Sequence, residues 1–556
     1  MLNTSKKVAR TLAQLLVEHG IREAVVSPGS RNAPLLVALE RQPEINTKVV
    51  VDERSAAFIG LGIAIASKRP VALVCTSGTA PLNYGPALAE AFYRQIPLIA
   101  VTADRPEEWI DQDDSQTIVQ PGIFSNYVKH TFDIPVENND SNRMWMINRK
   151  LNDALILATS EHPGPVHINV RLDEPLGETV DVGGPTAPRL IKSVESTISP
   201  DIEHPAKKIS DGAKTMIIAG FLPDISELSV HLRTLARLPN VIVLHEAQSN
   251  LRGDGAFIPN IDATLSVIGE HEDPEIVITI GGSLTSRKIK AYLRGLTDIE
   301  HISVGKRDHS VDCFKRLVQR INADETEVMK RLAERLAQGS GTPSPFKDKW
   351  LSASKKALIK ARNFAKEASW SDFQASEYII SHIPEGWNLQ LSNGTAVRYA
   401  QLFDYSSAGS IHCNRGVSGI DGCTSTAIGS ATVFEKPTVL LTGDMSMQYD
   451  IGALATAFIP KNFKIIVLNN GGGGIFRFIQ STKKLDELEK YFVADVRLPL
   501  AQLSEGYGFK YLSAGNPDEL KESFEKMVTD NSSPTILEIK TDGEISAETI
   551  SKFLNS

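Results

Sequence analysis

Short, continuous apolar runs alternate along the chain with stretches in which apolar residues recur every three to four positions. In the first third, AVVSPGS, TKVVVDE, PVALVCTSG, PLIAVTADRP and PVHINVRL read as buried strands, and residues 55–67 and 79–93 between them read as helices. Short β-rich runs separated by helical stretches imply βαβ units and a parallel sheet covered on both faces. A second set, AKTMIIAG, NVIVLHE, PEIVITIGGS and EHISVGK, predicts a smaller α/β unit. The last third repeats the pattern of the first with NLQLSNG, SIHCNRG, PTVLLTGD, FKIIVLNNGGGG and SPTILEIK. The expectation is an α/β protein of three parallel-sheet domains, residues 1–185, 186–345 and 346–556. Its boundaries fall in the Gly- and Pro-rich VDVGGPTAPR after Leu176 and in QGSGTPSPF (338–346). The outer two domains share a period and a size without a residue-level repeat. The opening MLNTSKKVARTLAQLLVEHG reads as an amphipathic helix with Val8, Leu12, Leu15 and Leu16 on one face, and as neither a signal peptide nor an anchor.

Composition narrows the function. The 556 residues are 42% hydrophobic and 23% charged, which fits several packed cores and excludes a disordered chain. A net charge of −8 argues against a dedicated nucleic-acid binder, while leaving room for local basic pockets. Cys75, Cys313, Cys413 and Cys423 form no C-x-x-C pair, so neither a zinc ribbon nor a disulfide framework is expected, and a cytoplasmic location is. No uncharged apolar run is long enough to span a bilayer.

Open parallel sheets bind ligands at the carboxyl ends of their strands. The polar and Gly-rich motifs SPGSRN, TSGTA, SNGTA, NRGVSG, TGDMS and NNGGGG all stand at those ends. In TGDMS, Asp444 follows a strand and precedes a helical pattern (Ile451, Leu454, Ala455, Phe458), so it suits a helix cap as well as a ligand. One helix and one strand later comes Asn470. A carboxylate, an amide oxygen and a loop carbonyl at adjacent strand ends offer hard oxygen donors to Mg²⁺, and a helix N-terminus beside them attracts a diphosphate. The Gly471–Gly474 run taken alone is a flexible loop. Glu53, at the end of TKVVVDE, taken alone is a helix N-terminal acid.

Taken together, GD…NN and Glu53 resemble the diphosphate motif and the glutamate of thiamine diphosphate enzymes, although Met445 replaces the usual third glycine. SPGSRNAPL (27–35), VDERSAAFIGLGIA, CTSGTA (75–80), VTADRPEEW (101–109), QTIVQPGIF (116–124), NRGVSGIDG (414–422) and NNGGGGIF then closely resemble one family of them. These are the 2-succinyl-5-enolpyruvyl-6-hydroxy-3-cyclohexene-1-carboxylate synthases of menaquinone biosynthesis. The likeness runs from about residue 5 to the last strand. It implies pyrimidine-binding, central and diphosphate-binding domains in that order, with thiamine diphosphate and Mg²⁺ (or Mn²⁺) as cofactors. It assigns the metal to Asp444, Asn470 and the carbonyl of Gly472, and the catalytic hydrogen bond to the cofactor pyrimidine to Glu53. Ser77, Gly78, Gly394, Gly443, Met445, Ser446 and Ile475 would line the cofactor, and Ile420 would be the wedge that bends it.

The family reaction decarboxylates 2-oxoglutarate and adds the remaining four-carbon unit to isochorismate. Both substrates are dicarboxylates, which arginine meets two-pronged. The resemblance assigns their contacts to Ser30, Arg31, Arg105, Gln116, Arg287, Lys288, Arg398, Arg415 and Phe476. It also implies a homodimer with its active sites at the interface, or a tetramer of two such dimers. A pyruvate-type carboligase shares the cofactor features but needs fewer arginines. A binding protein that keeps the fold would be expected to lose Glu53, Asp444 and Asn470. A nicotinamide oxidoreductase would need G-x-G-x-x-G, and the Gly60–Gly62 pair lacks its third glycine.

Overall fold

The computed structural model describes residues 2–138, 140–182, 188–193, 200–222, 225–252, 255–307, 309–337, 344–479 and 481–555. The chain forms two compact units. One comprises Met1–Ser196, Gly416–Glu435 and Asp450–Pro460; the other comprises Thr197–Arg415, Lys436–Tyr449 and Lys461–Ser556.

The first unit holds a six-stranded, all-parallel sheet. In spatial order its strands are Asn46–Val49, Glu23–Val26, Val71–Cys75, Leu98–Asp104, Val166–Arg171 and Thr131–Ile134. Val71–Cys75, Leu98–Asp104 and Val166–Arg171 are buried at every position, polar His167 and Asn169 included, as a sheet covered on both faces requires. Helix Lys7–Glu18 buries Val8, Leu12, Leu15 and Leu16, the face expected of it. Strand Leu2–Thr4 precedes it and pairs antiparallel with Thr179–Asp181, so the stretch read as irregular linker begins as a strand. The rest of that stretch at residues 183–187, and the second expected boundary at 338–343, lie outside the described residues.

The second unit holds two parallel sheets. Five strands, in the order Val241–His245, Thr215–Ala219, Ile276–Ile280, Glu300–Val304 and Leu317–Ile321, make the central one. The C-terminal sheet runs Ser410–Cys413, Asn388–Leu391, Thr438–Gly443, Lys464–Asn469, Thr535–Lys540 and Lys510–Ala514. Numbered within each sheet, the two six-stranded sheets share the order 2-1-3-4-6-5, which explains why the outer thirds of the sequence look alike. In both, the crossover direction reverses between strands 1 and 3, where ligands collect.

Two helices depart from expectation. Residues 79–93 form Thr79–Leu82 and then Gly85–Arg94, because the Pro86 ring would collide with the carbonyl four residues back. The helix after the third C-terminal strand stops at Tyr449 and gives way to a tight turn at Ile451–Ala455. There the buried Asp450 carboxylate takes the Ser425 N–H at 2.6 Å and its hydroxyl at 2.8 Å.

The glycines of helix Glu53–Ser67 serve packing. A Cβ on Gly62 would stand 2.1 Å from the Thr426 carbonyl oxygen, and one on Gly429 would stand 2.1 Å from that of Ile59. Helix Cys423–Ala431 therefore crosses Glu53–Ser67 backbone to backbone. Gly62→Ala should destabilise the protein by about 1–3 kcal/mol through overpacking. Gly85→Ala, which meets nothing within 4 Å, should not. Thermal unfolding of both variants checks this; equal melting points would show that the crossing is looser than described.

Candidate active site

Asp444 and Asn470 arise from two neighbouring strand ends of the C-terminal sheet. Strand Thr438–Gly443 delivers Asp444, and its parallel neighbour Lys464–Asn469 delivers Asn470. The buried Asp444 carboxylate accepts the N–H groups of Gly471 and Gly472, both at 2.9 Å, and that of Met445 at 2.6 Å. Gly472 has φ +143°, and a Cβ there would stand 2.3 Å from the Val493 carbonyl oxygen, so glycine is required for this loop to close. Burial pushes the Asp444 carboxyl up to about 6, against the three N–H groups that stabilise its charge.

Asn470 donates its Nδ2–H to Asp372 at 2.6 Å, which leaves its Oδ1 buried without a hydrogen-bond partner. Asp372 lies 98 residues earlier and is fully buried. It also takes the Thr541 hydroxyl at 2.5 Å, and burial raises its carboxyl above the usual range. No motif marks Asp372 in the sequence, yet it fixes which way the Asn470 amide faces. The Gly472 carbonyl accepts the Gly474 N–H at 2.8 Å and keeps a second lone pair. An orphaned amide oxygen, a carboxylate raised by burial and a loop carbonyl suit a hard divalent cation. Among the described residues no cluster of three His, Cys, Asp or Glu side chains is spaced for a metal. The donors here are of mixed type and form no such cluster.

Around them, Ser446 is buried, while Gly443 and Met445 are half-buried. Ile475 and Phe476 sit half-buried in the turn Gly474–Arg477, with the Phe476 ring 5.7 Å from that of Phe492. Gly394, after the first strand of the sheet, has φ +95° and open space where a Cβ would point.

Three arginines converge in the same unit. Burial first, then the charges of Arg415 and Arg287, lower the Arg398 guanidinium to about 10, with Asp262 opposing. Arg398 donates to the Gly394 carbonyl. Arg415 donates to Asn393 Oδ1 at 2.9 Å, and its buried Nε has no partner. Lys288 is tied elsewhere: its ammonium donates to Ser266 at 2.6 Å and to the Leu554 carbonyl at 3.4 Å.

The remaining residues belong to the first unit. Glu53 opens helix Glu53–Ser67, but Asp52 caps it, accepting the Arg54 N–H at 2.9 Å and the Ser55 hydroxyl at 3.1 Å. The Glu53 carboxylate takes no part in the cap. Its charge reaches the buried Cys75 thiol and Tyr84 phenol, both raised chiefly by burial. The Ser77 hydroxyl donates to the Gln116 carbonyl at 3.0 Å, and Gln116 Nε2 donates back to the Ser77 carbonyl at 2.8 Å. The Gly78 N–H goes to Gln120 Oε1 at 2.9 Å. Gln120, fully buried within QTIVQPGIF, is a further residue of this site that no sequence signal marked.

Arg31 is 6% exposed and holds the Leu172 carbonyl at 2.9 Å and Glu174 at 3.2 Å. Burial lowers its guanidinium, and Arg105 lowers it next. Arg105 pairs with Asp114 at 3.2 Å and keeps a buried, unpartnered Nε. Ser30 is exposed, and Ile420 is half-buried just before helix Cys423–Ala431.

Comparison with known proteins meets this geometry at both sheets. Residues 6–123 match the thiamine pyrophosphate enzyme N-terminal binding domain, and residues 393–539 match the C-terminal one. The chain is 40% identical over 548 residues to the 2-succinyl-5-enolpyruvyl-6-hydroxy-3-cyclohexene-1-carboxylate synthase of Porphyromonas gingivalis, covering 97% of this chain and 95% of the relative. It is 38% identical to the synthase of the same name from Flavobacterium psychrophilum, covering 96% of each. The chain belongs to this synthase family. The Flavobacterium johnsoniae member is 36% identical, again over 96% of each chain. In this synthase family member, no helix among the described residues is long and apolar enough to cross a membrane.

Proposed function

We propose that the chain joins 2-oxoglutarate to isochorismate with loss of CO₂. The product is 2-succinyl-5-enolpyruvyl-6-hydroxy-3-cyclohexene-1-carboxylate, an intermediate of menaquinone biosynthesis, and thiamine diphosphate and Mg²⁺ are the cofactors. The observation that carries this reading is the convergence of Arg287, Arg398 and Arg415, in a chain whose relatives are named for that product. Bound thiamine diphosphate supplies an electron sink for the loss of CO₂ and for the new carbon–carbon bond.

Asp444, Asn470 Oδ1 and the Gly472 carbonyl would hold a divalent cation, whose charge would offset that of the diphosphate. Glu53 would hold a proton against the cofactor pyrimidine, in a dry setting that strengthens the hydrogen bond. The three arginines meet substrate carboxylates in a site of low dielectric. Arg31, Arg105 and Gln116 supply further donors from the first sheet. Ile420, Ile475 and Phe476 present apolar surface that excludes water.

The glutamate-bearing sheet of one copy would serve the diphosphate-bearing sheet of a second, in a symmetric homodimer. Val49 and Val51 lie just before Glu53 and Leu82 just after Ser77 and Gly78. All three are at least half exposed, which suits a face that a second copy covers.

The donor decides between this reading and a pyruvate-type carboligase. A site built with paired cations leaves one unpaired when the substrate has a single carboxylate. With cofactor and Mg²⁺, kcat/KM for CO₂ release should favour 2-oxoglutarate over pyruvate by about 100-fold or more. Preference for pyruvate would overturn the reading.

A further inference from the structure

All three converging arginines are fastened to one loop, residues 281–286, by groups that have no role in the proposed chemistry. Glu246 directly follows strand Val241–His245 and is 1% exposed. Its carboxylate accepts the N–H groups of Thr285 and Ser286, both at 2.7 Å, and the Gln248 amide at 2.5 Å. Those two backbone amides immediately precede Arg287, the first residue of helix Arg287–Gly295.

Gln248 continues the connection. Its Nε2 also donates to Thr285 Oγ1 at 3.0 Å, and its Oε1 accepts from Gln401 at 3.0 Å. Gln401 directly follows helix Ala396–Ala400, which carries Arg398, and its Oε1 accepts the Ala247 N–H at 3.1 Å. The same loop reaches the third arginine, because the Ser283 hydroxyl donates to the Arg415 carbonyl at 2.7 Å.

Each of these contacts to Glu246 is a donor, which selects the ionised carboxylate. Burial opposes that charge, the two backbone N–H groups and Arg415 favour it, and Asp262 opposes it. A core position that needed only packing would be better filled by an apolar side chain of similar size. A charge with three aimed donors fixes geometry instead.

We infer that Glu246 is a positioning residue that, through Gln248 and Gln401, sets the spacing of Arg287 and Arg398 to the two carboxylates of a dicarboxylic substrate. The inference rests on the dicarboxylate reading proposed above. It assigns the central sheet a part in substrate recognition through residues that never touch the substrate.

A double-mutant cycle tests it. Glu246→Gln keeps the volume but cannot accept three donors. It should raise KM for 2-oxoglutarate about tenfold, with kcat within about twofold and thiamine diphosphate affinity unchanged. Arg287→Ala should raise KM by at least as much, and the double variant should fall clearly short of the product of the two single effects, because only the part that acts through Arg398 remains. Effects that multiply would make Glu246 an ordinary core residue and overturn the inference. If Arg287→Ala leaves KM unchanged, the dicarboxylate reading itself falls, and the brace falls with it. Thermal unfolding confirms that each variant folds. Should Glu246→Gln not fold, Gln401→Leu cuts the brace at its other end. Its effect should merge with that of Arg398→Lys in the same way, and multiplication would again be contrary.

Discussion

Glu53→Gln is expected to lower kcat by about 100- to 10,000-fold, the range for a lost general acid or base. Thiamine diphosphate affinity should change by less than about threefold. The division follows from the helix start. Asp52 supplies the cap, so an amide at position 53 costs the fold little. Exchange of the bound cofactor's thiazolium proton into D₂O, followed by NMR, should slow in parallel with kcat. A variant that turns over normally would remove Glu53 from the chemistry.

Asp444→Ala should weaken Mg²⁺-dependent binding of thiamine diphosphate by on the order of 100-fold or more. It removes one proposed metal oxygen and strands the N–H groups of Gly471 and Gly472, which point at that carboxylate from 2.9 Å. Calorimetric titration of the cofactor, with Mg²⁺ and again with EDTA, separates the two contributions. The wild-type protein should show a large difference between the two titrations and the variant almost none. Unchanged affinity would take Asp444 out of the metal shell.

The parts of this architecture that could be read from the chain are those where one physical demand dominates. Strands buried on both faces need unbroken apolar runs, and VALVC, TMIIA and KIIVLN show them. Each sheet also ends in a strand that the pattern did not disclose: Thr131–Ile134, Leu317–Ile321 and Lys510–Ala514. All three are edge strands with a single fully buried position each, so TFDI, LVQRI and KYLSA carry no continuous apolar run. Gly60 and Gly62 resembled a broken nucleotide motif, yet Gly62 answers to a helix crossing visible only in three dimensions. The pattern from Ile451 to Phe458 had helical spacing, but the buried Asp450–Ser425 contact draws that segment out of the helix.

The site divides the same way. Residues at strand ends announce themselves, because glycine, Asp, Asn and Arg gather there for ligand contact. Their supports do not. Asp372 aims Asn470 from 98 residues away, and Gln401 meets Gln248 from 153 residues away. Such partners are ordinary polar residues in sequence, and only the fold brings them together.

The most direct test of the account is the mass of the product. The purified protein is incubated with thiamine diphosphate, Mg²⁺, 2-oxoglutarate and isochorismate, with pyruvate replacing 2-oxoglutarate in a parallel reaction. A cofactor-dependent adduct of isochorismate with the four-carbon remainder of 2-oxoglutarate is expected, and none from pyruvate. Release of CO₂ from pyruvate with no isochorismate adduct would contradict it.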